Sequence, residues 1–205
     1  MIDTIKVLKF FIKADAIMNE QSFRHGLRSW LFPSLIQKFL VNLRITEYLN
    51  YKYHHNKLWL PLYVLFLIRH NIIENKTGFY IPLNSVGYGV RISHLCGIII
   101  NGNTRIGNYC CLFRCSFADA QPKIIGSHVF IGTNVVITGN IKIADGCSIA
   151  AMSLVNKSIE AEDQLWGGVP ARFLKKSEPW TNHPLYLDEV NRCETIKKRL
   201  GLYSL

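Results

Sequence analysis

Acidic residues are scarce in this sequence: 14 Asp and Glu stand against 24 Lys and Arg, a formal net charge of +10. That balance favours an anionic partner, such as a phosphate-bearing cofactor, an acidic glycan or an anionic membrane face. None of the usual nucleic-acid-binding signatures is present, so no nucleic-acid partner is expected. No CxxC pair occurs among the six cysteines, Cys96, Cys110, Cys111, Cys115, Cys147 and Cys193. The opening stretch MIDTIKVLKFFIKADA lacks a basic region ahead of a long apolar core, which argues against a secretory signal. Together these absences indicate a reduced, cytoplasmic protein whose cysteines act as small apolar residues. A long hydrophobic run is also missing. LWLPLYVLFLI, residues 58–68, is followed directly by Arg69 and His70. Spanning a bilayer takes about 20 apolar residues, so this segment is expected to be a buried or membrane-surface helix.

What is present is ordinary globular material, 49% hydrophobic and 19% charged over 205 residues. Residues 3–75 carry helical spacing: Ile5, Leu8 and Ile12, then Leu35, Phe39 and Leu43. Pro33 with Ser34 marks a helix start, and Pro61 falls in a first turn, where proline is tolerated. ENKTGFYIP, residues 74–82, is turn-rich and then extended, and sets a boundary. From residue 86 the period is six: VGYGVR, ISHLCG, IIINGN, two extra residues (Thr104, Arg105), IGNYCC and LFRCSF. After an irregular ADAQPKI the phase resumes with IGSHVF, IGTNVV, ITGNIK, IADGCS, IAAMSL and VNKSIE. Every hexad begins with Ile, Leu or Val. A helix cannot hold a strict six, and simple alternation does not place glycine and asparagine or aspartate near corners. The pattern predicts a parallel β-helix of triangular coils, with position one pointing inward and stacking from coil to coil. Cys96, Cys110 and Cys147 then fill small inward slots at position five. The thin core needs caps. Residues 1–77 are expected to be a helical N-terminal region, 78–176 the β-helix, and 177–205 a helical extension beyond the last coil.

The stretch IGTNVVITGNIKIADGCSIAAMSLV followed by WGGVPARFLKK resembles the left-handed β-helix hexapeptide acyltransferases, with GGVPAR (167–172) the strongest local signature. The helical N-terminal region followed by ISHLCGIII is most similar to the serine acetyltransferase branch, an arrangement shared by capsule, O-antigen and colanic acid O-acetyltransferases. The resemblance covers residues 78–176 well and the helical part loosely. It implies an acetyl-CoA-dependent transferase with no metal, a homotrimer, and active sites in grooves between neighbouring β-helices. It sets His94 at the catalytic histidine. An imidazole with a pKa near 6.5 suits removal of a proton from an attacking hydroxyl. As the third residue of its hexad His94 should leave the strand outward; the alternative is a structural histidine hydrogen-bonded at an interface. Thr133 and Ala151 match positions along the pantetheine arm, and Gly168 and Ala171 match the turn beside it. Arg172, Lys175 and Lys176 are candidates for the nucleotide phosphates; for the lysines, a solvated surface charge is an equal reading.

Three positions depart from serine acetyltransferases. Phe79 stands where the resemblance places an orienting aspartate, Gln121 where it places a second histidine, and Gly102 where it places a glutamate. The departures shift the expected acceptor to a sugar hydroxyl of a surface polysaccharide or its precursor, with serine as the alternative. Asp119, Gln121 and Phe113 are the candidate acceptor contacts. Asp119 or a backbone carbonyl is a candidate orienter of His94. Tyr88, Phe113 and Phe117 are candidate stacking platforms, with core packing equally open to each. Arg44, Lys52, Lys57 and Arg69 beside aromatic residues suggest residence at the inner membrane face. Other classes are a non-catalytic trimeric scaffold and a γ-type carbonic anhydrase; the latter has only His94 and His128 to offer where a catalytic zinc needs three ligands. His54 and His55 diverge by about 100° on a helix, against a metal site, and Cys110, Cys111 and Cys115 are expected to be inert.

Overall fold

The computed structural model describes residues 2–19, 34–95, 97–203 and 205; Pro33 and Cys96, for which the sequence made expectations, lie outside them. Among the described residues three α-helices precede the strands. Helix α1, Ile5–Met18, starts where Thr4 Oγ1 accepts from Val7 N at 3.3 Å. It buries Val7, Phe10, Phe11, Ala14, Ile17 and Met18, while Ile5 is exposed, so the aromatic pair rather than the Ile5–Leu8–Ile12 row decides its buried face. Helix α2, Leu35–His55, is capped by Ser34, and helix α3, Leu60–Thr77, carries Pro61 in its first turn. Gly78 ends α3 in the left-handed region (φ 69), and the expected change to extended chain follows at Phe79–Tyr80.

Parallel strands then wind into three faces. The five-strand face stacks Phe79–Tyr80, Ile98–Ile99, Cys115–Phe117, Val135–Ile137 and Leu154–Val155. The three-strand face holds Thr104–Ile106, Lys123–Ile125 and Ile141–Ile143. The six-strand face stacks Arg91–Ile92, Cys111–Leu112, Phe130–Ile131 and Ser148–Ile149, and closes with the hairpin Gln164–Gly168 and Ala171–Lys176. The first residues of all eleven hexads are buried, as expected. Each such aliphatic, taken out of water, contributes about 1.5–3 kcal/mol.

The register differs from the hexad reading at three places; in the last coil Ile159, fifth in its hexad, pairs with the position-one Ile143. Ile98 pairs with Cys115, which pairs with Val135, so all three are position-five residues, and the position-one residue of that coil is Ile100. The two extra residues therefore lie in the 93–97 turn beside His94, not at Thr104–Arg105, which fall in regular strand. Leu112 to Phe117 is correspondingly one residue short, because Phe117 pairs with Ile137. Strand pairing fixes the inward residues, so length changes are displaced to the corners.

Arg44 joins the helical cap to the first coil. It is fully buried, its Nε donates to Asp15 Oδ2 at 2.7 Å and its Nη1 to Glu47 Oε2 at 3.0 Å. The same guanidinium donates to the carbonyls of Val86 (3.0 Å) and Gly87 (2.6 Å). Asp15 also accepts from Val90 N, and Glu47 from Asn84 N at 2.7 Å. Burial opposes the Arg44 charge, yet the two carboxylates hold it firmly protonated, while burial pushes the Asp15 carboxyl above its ordinary range. Arg44 is thus a structural ion, and its expected role on a membrane-facing surface does not stand.

The C-terminal extension also departs from expectation. Instead of lying beyond the last coil, it runs back along one edge of the prism to the N-terminal cap. His128 Nδ1 meets Thr181 Oγ1 at 2.8 Å and Trp180 Nε1 donates to Tyr109 O at 3.0 Å. Helix α4, Pro184–Arg199, then packs on α1, with Cys193 buried and Lys197 Nζ 2.9 Å from Tyr88 Oη. Tyr109 Oη donates to Glu194 Oε1 at 2.6 Å.

Replacing Arg44 with Ala leaves two buried carboxylates without a counter-charge. The expected loss is about 3–5 kcal/mol, read as a drop in Tm on the order of 10 °C; an unchanged Tm would contradict this account of the cap.

Candidate active site

Coil geometry assigns each functional candidate to a corner. The turn from the six-strand to the five-strand face holds His94. Ile92, Leu112, Ile131, Ile149 and Trp166 are in register across the six-strand face. Two residues beyond each lie His94, Arg114, Thr133, Ala151 and Gly168, one per coil on the same edge. Neighbouring coils are about 4.8 Å apart, so His94 stands about two rungs, or roughly 10 Å, from Thr133. His94, Arg114, Thr133 and Ala151 are all exposed. The structure therefore brings the base candidate and the three candidates Thr133, Ala151 and Gly168 onto one line.

The two additional residues between Ile92 and Ile98 fall on the corner that carries His94. Beyond His94 the chain reaches Gly97, whose φ of 77 favours glycine and whose Cα lies close against the Arg114 side chain. The His94 ring lies against Phe113, centroids 5.8 Å apart at 57°. Among the described residues no side chain hydrogen-bonds that ring. A groove of about 280 Å³ opens beside it, lined by Arg91, Ser93, Cys111, Phe113, Phe130, Trp180 and Tyr186 as well as His94. Phe113 and Phe130 are 5.4 Å apart, and Arg91 lies 4.9 Å over the Tyr186 ring. Trp180 and Tyr186 come from the returning C-terminal segment, which sequence reading missed because nothing in the local pattern reveals where that segment docks. Tyr88 and Phe117 are buried, so of the three expected platforms only Phe113 faces the groove.

Arg114 was also missed. It is the third residue of its hexad, as His94 is of ISHLCG, and that shared offset was the available signal.

Asp119 and Gln121 lie on a different corner, between the five-strand and three-strand faces, and within one chain they are not brought to His94. Both Asp119 oxygens are engaged: Oδ1 accepts from Lys123 Nζ and Gln121 N at 2.8 Å each. Oδ2 accepts from Thr138 Oγ1 at 2.5 Å and Gly139 N at 2.7 Å. Lys123 above all, then Thr138 and Gly139, hold the carboxyl well below the usual carboxylate range. Lys123 sits fully buried in a position-five slot, and Asp119 is the partner that allows a cation there. Phe79 is buried in the core against Phe39, centroids 5.2 Å apart, and Gly102 is exposed on a turn.

At the far end of the His94 edge, Gly168 and Ala171 form the hairpin turn around a cis Val169–Pro170 bond. Ala171 is buried, whereas Arg172 and Lys175 are exposed on the outgoing strand. Lys176 lines a hollow that also carries Glu162, Asp163 and Glu178.

Burial pushes Cys110, Cys115 and Cys193 up to about 12 and Cys111 to about 11, as expected of inert thiols. His54 and His55 each bond the carbonyl four residues earlier through Nδ1, at 2.8 Å. His94 and His128 occupy different corners, and among the described residues no group of three or more His, Cys, Asp and Glu is placed to hold a metal.

These features define a hexapeptide-repeat β-solenoid with helical N- and C-terminal segments. The family described as bacterial transferase hexapeptide (six repeats) matches residues 122–157. The chain is similar to a serine acetyltransferase of Buchnera aphidicola (subsp. Acyrthosiphon pisum), 25% identical over 84% of this chain and 61% of that one. It is also similar to a probable macrolide acetyltransferase of Lysinibacillus sphaericus, 47% identical over 32% of this chain and 41% of that one. The chain spans between 32% and 61% of the length of the first serine acetyltransferases it matches. Among solved structures, serine acetyltransferase of Neisseria gonorrhoeae superposes with a TM-score of 0.68 at 21% identity, covering 89% of this chain and 72% of that one. A serine acetyltransferase in complex with CoA gives 0.64 at 22% identity, over 82% and 69% of the two chains. The architecture is of the serine acetyltransferase type.

His128 supplies a pH test of the returning C-terminal segment. Burial lowers its pKa below the usual value, against the pull of Asp145, Glu194 and Asp163. Below about pH 6.5 the unfolded chain binds a proton that the folded chain resists, so stability falls as pH falls through that window. Tm should drop between about pH 7 and pH 5.5, and His128→Gln should flatten that dependence. An identical pH slope in the variant would exclude His128 as the sensor.

Proposed function

We propose that this protein is an acetyl-CoA-dependent O-acetyltransferase in which His94 is the general base. One observation carries the reading: His94 projects from the edge on which Thr133, Ala151 and Gly168 follow in successive coils. That edge offers exposed backbone for a pantetheine arm, and Arg172, Lys175 and Arg114 supply cations for its phosphates. Arg172 belongs to the GGVPAR stretch and pairs with Gly167 next to the hairpin turn, whereas Lys175 lies further along the outgoing strand.

In the reaction His94 takes the proton of the acceptor hydroxyl as its oxygen attacks the thioester carbonyl. The C–S bond breaks, an ester forms, and the proton passes from the imidazolium to the departing CoA sulfur. Phe113 steadies the ring by contact. With no orienting carboxylate on the ring among the described residues, the tautomer is set when substrates bind.

Serine is the acceptor that these relatives favour, because serine acetyltransferases recur among them. The sugar expected from the sequence is retained as a second reading on one specific ground, the aromatic lining of the groove at His94. Phe113, Phe130 and Tyr186 suit a ring-bearing acceptor better than a small zwitterion. We also assign a homotrimer. Its support is the outward row Tyr80, Ile99, Ser116, Val136 and Leu154 on the five-strand face, where Tyr80, Ile99 and Val136 are exposed. A neighbouring copy on that face would complete a groove that one chain leaves open. A cytoplasmic site of action follows from the co-substrate.

Loss of acetyl-CoA thioester with serine and with a panel of glycans, offered side by side, tests both readings. His94→Ala should lower turnover by a factor on the order of 10² or more while acetyl-CoA binding persists. Near-normal turnover in that variant would remove His94 from the role of base, and an absence of acetyl-CoA binding by the native chain would favour a scaffold.

A further inference from the structure

Helix α3 is apolar on both sides, but only one side is covered. Against α2 and the cap it buries His70, Ile73 and Thr77. On the opposite side Val64, Leu65, Ile68 and Ile72 form one stripe, exposed by 40%, 59%, 54% and 50%. Leu58, just before the helix, is 84% exposed. The stripe from Pro61 to Ile72 is about 16 Å long, and no helix among the described residues is long and apolar enough to cross a membrane.

Its charge is one-sided. Arg69 and Lys76, seven residues apart, flank the stripe on the same side, and both are exposed. Lys57 lies 4.0 Å over the Tyr53 ring, which stacks on Tyr63 of the helix at 5.4 Å. Between Glu47 and Asp119 the sequence has a single acidic residue, Glu74. That carboxylate is turned inward, accepting from Ile81 N at 3.0 Å and pairing with His70 at 3.4 Å. The exposed surface of α3 therefore carries cations and aliphatics with no carboxylate to answer them.

We propose that α3 docks in the plane of an anionic phospholipid bilayer, its stripe entering the acyl boundary and Arg69, Lys76 and Lys57 meeting the headgroups. A second copy of the chain is the competing occupant. Pairing two copies on this stripe would bring the cations of both faces together with no carboxylate on either to answer them, which is a repulsive arrangement. The inference does not depend on the proposed activity.

The test is flotation of the full chain with vesicles of phosphatidylcholine alone and of phosphatidylcholine mixed with phosphatidylglycerol. Binding to the anionic vesicles should exceed binding to the neutral ones at least about tenfold and weaken as salt rises past about 0.15 M. Leu65→Glu with Ile68→Glu should lower vesicle partition at least about tenfold while the circular dichroism spectrum and turnover stay those of the native chain. Arg69→Glu with Lys76→Glu, which leaves the stripe intact, should erase the preference for anionic vesicles. The proposal fails if the native chain does not float with anionic vesicles at low salt, or if the Leu65/Ile68 variant floats equally well. It also fails if the same substitutions abolish a self-association seen without any vesicle binding.

Discussion

Stacked aliphatic side chains inside the prism constrain everything else in this protein. Each side of a coil must deliver a position-one and a position-five residue to the interior in register with the coils on either side, because the parallel strands pair there and the core is thin. A residue gained or lost within a coil therefore cannot stay in a strand. It is expelled to a corner, and the corner changes shape. The His94 turn is the outcome of that rule: two residues more than a regular hexad, closed by Gly97 against Arg114. The proposed base thus stands at a place where the repeat is broken, whereas the wall beneath it is committed to packing.

Buried charge follows the same logic. Two cations are fully buried, Arg44 at the cap and Lys123 in an inward slot, and each is met by carboxylates held in place by backbone N–H groups. Burying such ions costs several kcal/mol apiece unless they are paired. Asp119 answers Lys123 at an irregular corner, which explains why both its oxygens serve the scaffold and why it stands apart from His94. Arg44, bonded to two carboxylates and two carbonyls, fixes the orientation of the first coil relative to α1 and α2.

Much of this was legible in the sequence because a period of six survives without any tertiary information. The first residues of all eleven hexads are inside, Ser34 caps α2, Gly78 ends α3, and His94 projects outward. The co-linearity of His94 with Thr133, Ala151 and Gly168 was implicit in their shared offset from the stacked residues. What could not be read was where the phase shifts occur, since IIINGN satisfies the pattern equally well with Ile98 or Ile100 in the first place. Pairing with Cys115 resolves it. Long-range docking was also out of reach. Trp180 and Tyr186 meet the groove only because the segment after the last strand reverses direction, and no local residue pattern encodes that reversal. The choice between Ile5 and Phe10 on α1 depended likewise on Tyr88, which packs 4.8 Å from Phe10.

The returning C-terminal segment changes how a linear stack of coils can come apart. In an open solenoid each end can fray one rung at a time, since every rung touches only its neighbours. Here the last part of the chain is stitched to successive rungs at His128, Tyr109 and Tyr88 and is anchored on the first helix. Peeling the final rung would drag on the opposite end of the molecule, so beginning and end are fastened into one closed loop. The stack should then yield as a single unit, with its working edge kept in shape until the whole gives way.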